Sequence, residues 1–189
     1  MDLDTARARV LDAAEALFYE RGVQAVGMDL IRSASGVSLK RIYQLFPAKE
    51  QLVEEFLRVR DARWRRRLAE HVTSAGDAHG PREAILAVFD WLHLWFDEPG
   101  YRGCAFINAF GELGTVSPSV AGIAREHKEE FRRYFAGLVA AADRPAPLAD
   151  QLLLLAEGAI TTSAITGSAE PARQARDAAR TLLNATESA

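Results

Sequence analysis

The sequence predicts an all-α protein, with a three-helix helix-turn-helix domain at its N-terminus and a larger helical domain after it. Three observations carry that prediction. Ala, Leu, Arg and Glu recur at helical spacing through most of the chain, while the apolar–polar alternation of strands is rare. Glycine and proline cut the helical pattern into segments. Two short segments lie on either side of Gly36, behind a longer amphipathic one.

The first helix is predicted from about Thr5 to Arg21: Val10, Ala14, Leu17 and Phe18 share a face, and Gly22 stands where a C-terminal cap belongs. "MDLIRSAS" is a second, short helix broken by Gly36; Ser38 caps a third, "SLKRIYQLF", which Pro47 stops. "AKEQLVEEFLRVRDARWRRRLAEHV" follows as a longer connecting helix, with Leu52, Phe56, Val59 and Leu68 at roughly helical spacing. "TSAGDAHGP", residues 73–81, reads as a linker. The pattern resumes at "REAILAVFDWLHLWF", breaks at "DEPGYRG", returns in "CAFINAFGEL", breaks at "GTVSP" and runs through "SVAGIAREHKEEFRRYFAGLVAAAD" to a stop at "RPAP". The last two helices are "LADQLLLLAEGAITTSAIT", very apolar for an exposed element, and "PARQARDAARTLLNA", with proline in its first turn.

Composition narrows the function classes. The 189 residues are 49% hydrophobic and 26% charged with only 7 prolines, the balance of a folded globular protein of one or two domains. No uninterrupted apolar run approaches the roughly 18 residues of a membrane span, and the N-terminus lacks the apolar core of a signal peptide, so a cytoplasmic protein without a membrane partner is expected. Cys104 is the single cysteine, and the four histidines show no metal-ligand spacing, so neither disulfide, metal nor cofactor is expected. There is no G-x-S-x-G elbow, phosphate-binding glycine loop or paired cysteine set, which argues against an enzyme.

Charge is unevenly spread. The net charge is −3, yet residues 30–49 hold Arg32, Lys40, Arg41 and Lys49 and no acidic residue. Lys40 and Arg41 fall in the first turn of the third helix, the positive end of its dipole, where basic residues are least favourable unless something negative lies opposite. In a helix-turn-helix unit the second helix enters the major groove and flanking groups hold phosphates. Ile42 and Phe46 are expected to pack inward against Leu17, Phe18, Ile31 and Ala34, which turns Lys40, Arg41 and Gln44 outward. Tyr43 is expected at the edge with its hydroxyl free for a phosphate, and Lys49 beside the N–H groups of the next helix. DNA would compensate the misplaced charges. The run "RDARWRRRLAE" reads instead as a solvated face with Trp64 packed.

The stretch "VLDAAEALFYERGVQAVGMDLIRSASGVSLKRIYQLFPAKEQLVEEF" resembles the N-terminal domain of TetR-family transcriptional regulators, with "AAEALFYERG", "GVS", the "Y-x-x-F-P" ending and "KE" in register. The resemblance spans about residues 7 to 57. It implies a homodimeric, sequence-specific DNA-binding regulator, most often a repressor, released from a palindromic operator by a small-molecule effector. It implies a DNA-binding domain over residues 1–47, and a helical effector-binding and dimerisation domain over 48–189 that begins with the connecting helix. Ser38, Lys40, Arg41, Tyr43, Gln44 and Lys49 match DNA-facing positions, as do Gly27 and Met28 at the start of the second helix. Gly27 departs from the Ser or Thr usual in the family, Leu45 from His, and Ala48 from Ser or Asn. A helical adaptor without specific DNA binding is the alternative reading.

The C-terminal likeness is looser, chiefly in "RGCAFINAFGEL" and the last two helices. By the family's plan those helices form a four-helix bundle across a two-fold axis, which suits Leu148, Leu152, Leu155, Ala159 and Leu182. Between linker and dimer helices, Trp91, Trp95, Phe106, Phe110, Phe131 and Tyr134 can line an apolar pocket that Asn108, His127, Glu157 and Thr161 would make selective.

Overall fold

The structure, a computed structural model, describes residues 2–185. Among them are nine helices and no strand: α1 (Leu3–Arg21), α2 (Met28–Ser35), α3 (Leu39–Leu45), α4 (Lys49–His79), α5 (Pro81–Phe96), α6 (Ala105–Leu113), α7 (Pro118–Ala141), α8 (Leu148–Thr166) and α9 (Glu170–Ala185). The all-α expectation is met.

These helices form two compact units. One holds the described residues up to Ala62 together with Ala105–Arg125; the other holds Arg63–Cys104 and the described residues from Glu126 onward. The expected boundary between residues 47 and 48 does not coincide with this division. Leu52, Val53, Phe56 and Leu57 of α4 are buried, and Phe56 meets Phe18 of α1 at 5.7 Å, so the start of α4 belongs to the core of the first unit.

Local chemistry sets the ends of the first three helices. Asp2 caps α1 by accepting from the Thr5 N–H at 2.8 Å, and the helix stops at Gly22. Gly22 has φ +85°, which favours glycine, and a Cβ there would lie 3.0 Å from Glu112 Oε1. α2 ends at Gly36 in the left-handed region, its N–H donating to Arg32 O. Ser38 then caps α3 by accepting from the Arg41 N–H at 3.4 Å. α1 packs on α2 and α3 through Val10, Ala14, Phe18, Ile31, Ile42 and Phe46, all buried. Of the inward partners expected for α3, Phe18 and Ile31 are in the core, Leu17 is half-buried and Ala34 is exposed.

In the second unit the expected linker over residues 73–81 is absent: α4 runs on to His79 and only Gly80, at φ +89°, separates it from Pro81 at the first position of α5. Gly76, which looks like a breaker, is a contact residue. A Cβ at 76 would stand 3.2 Å from Ala84 Cβ, so glycine lets α4 and α5 close on each other, at about 1 kcal/mol of helix propensity. α8 turns through Gly167 into α9, and α5 packs on both. α8 is long and apolar enough to cross a membrane by length and composition, but Leu148, Leu152, Ala156, Ala159 and Ile160 are packed inside the unit.

Candidate nucleic-acid interface and ligand-facing residues

α3 presents a divided surface. Ile42 and Phe46 are 0% and 3% exposed, which anchors the helix by one side. Ser38, Lys40, Tyr43 and Gln44 are exposed, and Arg41 is half-buried with its guanidinium donating to Gln44 Oε1 at 3.3 Å. Five of the sequence-derived DNA-facing residues therefore share one polar surface at the start and outer side of a seven-residue helix. No carboxylate of α3 itself offsets Lys40 and Arg41, since Leu39–Leu45 contains none. Gly27 caps α2 without any side-chain bond and a Cβ there would meet nothing within 4 Å. The first N–H groups of α2 are thus left for an outside acceptor, and the space would accept the Ser or Thr that glycine replaces. Met28 beside it is half-buried.

Lys49 is the exception and corrects the sequence reading. Its ammonium donates to Val23 O at 2.6 Å and lies 5.9 Å from the Phe18 ring centroid, turned into its own unit. Desolvation holds its pKa below the usual lysine value, with the nearby Glu112 charge acting the other way. Lys49 therefore ties the start of α4 to the α1–α2 turn. Glu112 of α6 grips the same turn: it accepts from the Val23 N–H at 3.1 Å and the Gln24 N–H at 2.7 Å, while Gln24 Nε2 donates back to Glu112 O at 2.6 Å. The segment leading into the Gly27 cap is thus held from two sides. Arg7–Glu55 at 2.6 Å and Arg60–Glu15 at 2.7 Å brace α1 on α4 in the same unit.

In the second unit an aromatic cluster forms around a residue the sequence reading left as mere packing. Trp64 meets Trp91, Trp95, His127 and Phe131 at 5.1 to 5.7 Å, all edge-to-face. Its indole N–H is buried without a hydrogen-bond partner, a state that costs about 1–3 kcal/mol. The signal was available, because Trp64, Leu68 and Val72 repeat every four residues and all three are buried. Trp91, Trp95, His127, Phe131 and Tyr134 of the expected pocket therefore belong to this unit, as does Glu157, whose carboxylate is held by Lys128 Nζ at 2.6 and 2.8 Å. Phe106, Asn108 and Phe110 lie on α6, in the first unit, Phe106 buried, Asn108 and Phe110 exposed. Thr161 is exposed on α8 and belongs to its outer stripe.

Residues 10–56 match the family described as "Bacterial regulatory proteins, tetR family". Among curated proteins, the transcriptional activator FasR of Mycolicibacterium smegmatis is 33% identical over 111 residues, 52% of this chain and 45% of that protein. A regulator of the helix-turn-helix type from Mycobacterium tuberculosis is 33% identical over 98 residues, 51% of this chain and 46% of its own length. The chain thus spans about half the length of the curated relatives it matches. Among solved structures, a Streptomyces avermitilis protein assigned as a TetR transcriptional regulator is 30% identical, the match covering 93% of this chain and 98% of that one with a TM-score of 0.76. This chain belongs to the TetR family of transcriptional regulators. A TetR-family regulator of Streptomyces coelicolor, 26% identical, follows the same fold over 97% of this chain and 96% of that one with a TM-score of 0.84.

On α8, part of the stripe expected at a dimer interface is turned into the protomer itself. Leu148, Leu152 and Ala159 are 2%, 0% and 5% exposed, buried within the protomer's own second unit, and Leu155 and Leu182 are half-buried. The stripe that faces outward is Leu154, Gly158, Thr161 and Ile165, with Leu154 72% and Ile165 81% exposed. Spacings of four, three and four put these residues on one helix face.

Proposed function

We propose that this TetR-family chain acts as a homodimeric, sequence-specific DNA-binding regulator that is released from a palindromic operator by a small-molecule effector. The observation that carries the reading is the divided surface of α3, which buries Ile42 and Phe46 and presents Ser38, Lys40, Arg41, Tyr43 and Gln44 on its polar side. Cations at a helix N-terminus are unfavourable until phosphate supplies the opposite charge, and the uncapped start of α2 offers further N–H donors to the same backbone. The outward face of α8 supports dimerisation, because it exposes Leu154 and Ile165 with only Gly158 and Thr161 between them. The aromatic cluster around Trp64 supports effector binding in the second unit. The same reading makes the protein a cytoplasmic one whose partner is duplex DNA and not a membrane, and a binder with no catalytic activity.

The test is fluorescence anisotropy of the protein on duplexes tiling the DNA around its own gene, across a salt series with nonspecific competitor. One duplex bound far above the rest, with affinity falling steeply in salt, is the expected outcome. Uniform weak binding, repeated in selection from random duplexes, would favour the adaptor reading. Because one matched relative is an activator, the direction of regulation is read separately, from a reporter carrying the selected operator.

A further inference from the structure

On the second unit, α4 and α7 enclose a groove of about 470 Å³, within the roughly 300–1,000 Å³ usual for small-molecule sites. Its floor is apolar and aromatic, made by Trp64, Leu68, Phe131 and Tyr134. Its charged lining is unbalanced: Arg65, Arg66 and Arg133 stand there against one carboxylate, Glu130. That carboxylate is shared, 3.3 Å from Arg65 and 2.6 Å from Arg133, while Arg66 faces Glu70 of its own helix at a loose 3.9 Å. Arg66 and Arg133 are exposed beside the aromatic floor, and guanidiniums recognise planar carboxylates bidentately. Trp64 lines this groove, and its indole N–H is buried without a hydrogen-bond partner.

From the arginines at its edge and the aromatic floor, we propose that this groove binds a planar aromatic organic anion, its rings on Trp64 and Tyr134 and its carboxylate on Arg66 and Arg133. Burial pushes the Tyr134 phenol up to about 12, so it meets such an anion as a neutral donor. That the anion is also the effector rests on the regulator reading above, and deepens it by naming the chemical class.

The test is calorimetry of the full chain with 2-naphthoate beside 2-naphthamide, which keeps the rings and the shape and removes the charge. The carboxylate is expected to bind about tenfold more tightly, and the preference is expected to vanish in the Arg66→Gln, Arg133→Gln double variant while amide binding stays unchanged. Both arginines are exposed, so an unaltered melting temperature serves as the folding control. The Trp64 indole N–H resonance, one of three in the protein and assigned by its loss in Trp64→Phe, is expected to shift on titration with naphthoate. Equal affinity for the two compounds, no naphthoate binding at millimolar concentration, or a preference that survives the double variant would overturn the site. Naphthoate binding that leaves operator affinity unaltered would overturn the effector role alone. Absence of any operator would count against the regulator reading and leave the anion site standing on its own calorimetry.

Discussion

Replacing both Lys40 and Arg41 by Ala separates folding from DNA binding. Lys40 is exposed, Arg41 bonds only weakly to the neutral Gln44, and α3 is anchored by Ile42 and Phe46 on its other side. The fold therefore loses little. Removing two cations from the positive end of a helix returns about 0.3–1 kcal/mol each at low salt, offset in part by the lost Arg41–Gln44 contact, so the variant should be no less stable than wild type and gain at most about 1.5 kcal/mol. DNA binding should change far more. A dimer loses four cations, and at about 0.9 in log–log slope per phosphate contact the salt dependence should flatten by about 3.6 if all four meet phosphates. At about 0.1 M salt that slope change corresponds to a loss of about 10³–10⁴-fold in operator affinity, smaller where a side chain reads a base edge. The assay is anisotropy titration of wild type and variant on the selected duplex from low to moderate salt, with melting curves alongside. An unchanged slope and affinity in a variant that melts normally would remove α3 from the DNA interface and refute the reasoning.

Glu112→Gln weakens two hydrogen bonds to the Val23 and Gln24 amides; about 1–2 kcal/mol of destabilisation and faster hydrogen exchange at those two amides are expected, and unchanged exchange would show that the grip is dispensable. Leu154→Glu places a charge on the outward stripe of α8 at a side chain that is 72% exposed in the protomer, so folding should survive while dimerisation weakens by about 2–6 kcal/mol over two copies; light scattering showing a dimer as tight as wild type would move the interface elsewhere. Tyr134 should titrate near pH 12 in the ultraviolet phenolate absorbance, with that step missing in Tyr134→Phe. Because its folded value lies above the unfolded value of 10.0, the unfolded chain releases this proton first, and stability should decline as pH rises between about 10 and 12.

Much of the candidate DNA-facing surface was legible because its signals are local. A left-handed glycine at 36, a serine cap at 38 and a buried pair four residues apart fix the turn, the start and the orientation of α3, and none of these depends on distant chain. Lys49 was misread for the complementary reason: its position at the start of α4 is local, but whether its ammonium faces phosphate or Val23 O depends on the turn 26 residues upstream. Gly76 was misread likewise, since a glycine that breaks a helix and one that admits Ala84 look the same in sequence. On α8 the helical period was no guide to the inward side, because the helix carries apolar residues all round.

The sequence alone determined an all-helical chain, the position and polarity of the helix-turn-helix, and the likeness to TetR-family regulators, because helix periodicity, caps and turns are short-range properties. Tertiary structure decided the rest. Only packing assigns α6 and its Glu112 to the first unit, makes Trp64 the centre of an aromatic cluster, and turns Leu154 and Ile165 outward while Leu148 and Leu152 go in. Each of those outcomes depends on which faces of different helices meet, and periodicity along one helix reveals that a face exists without revealing its partner.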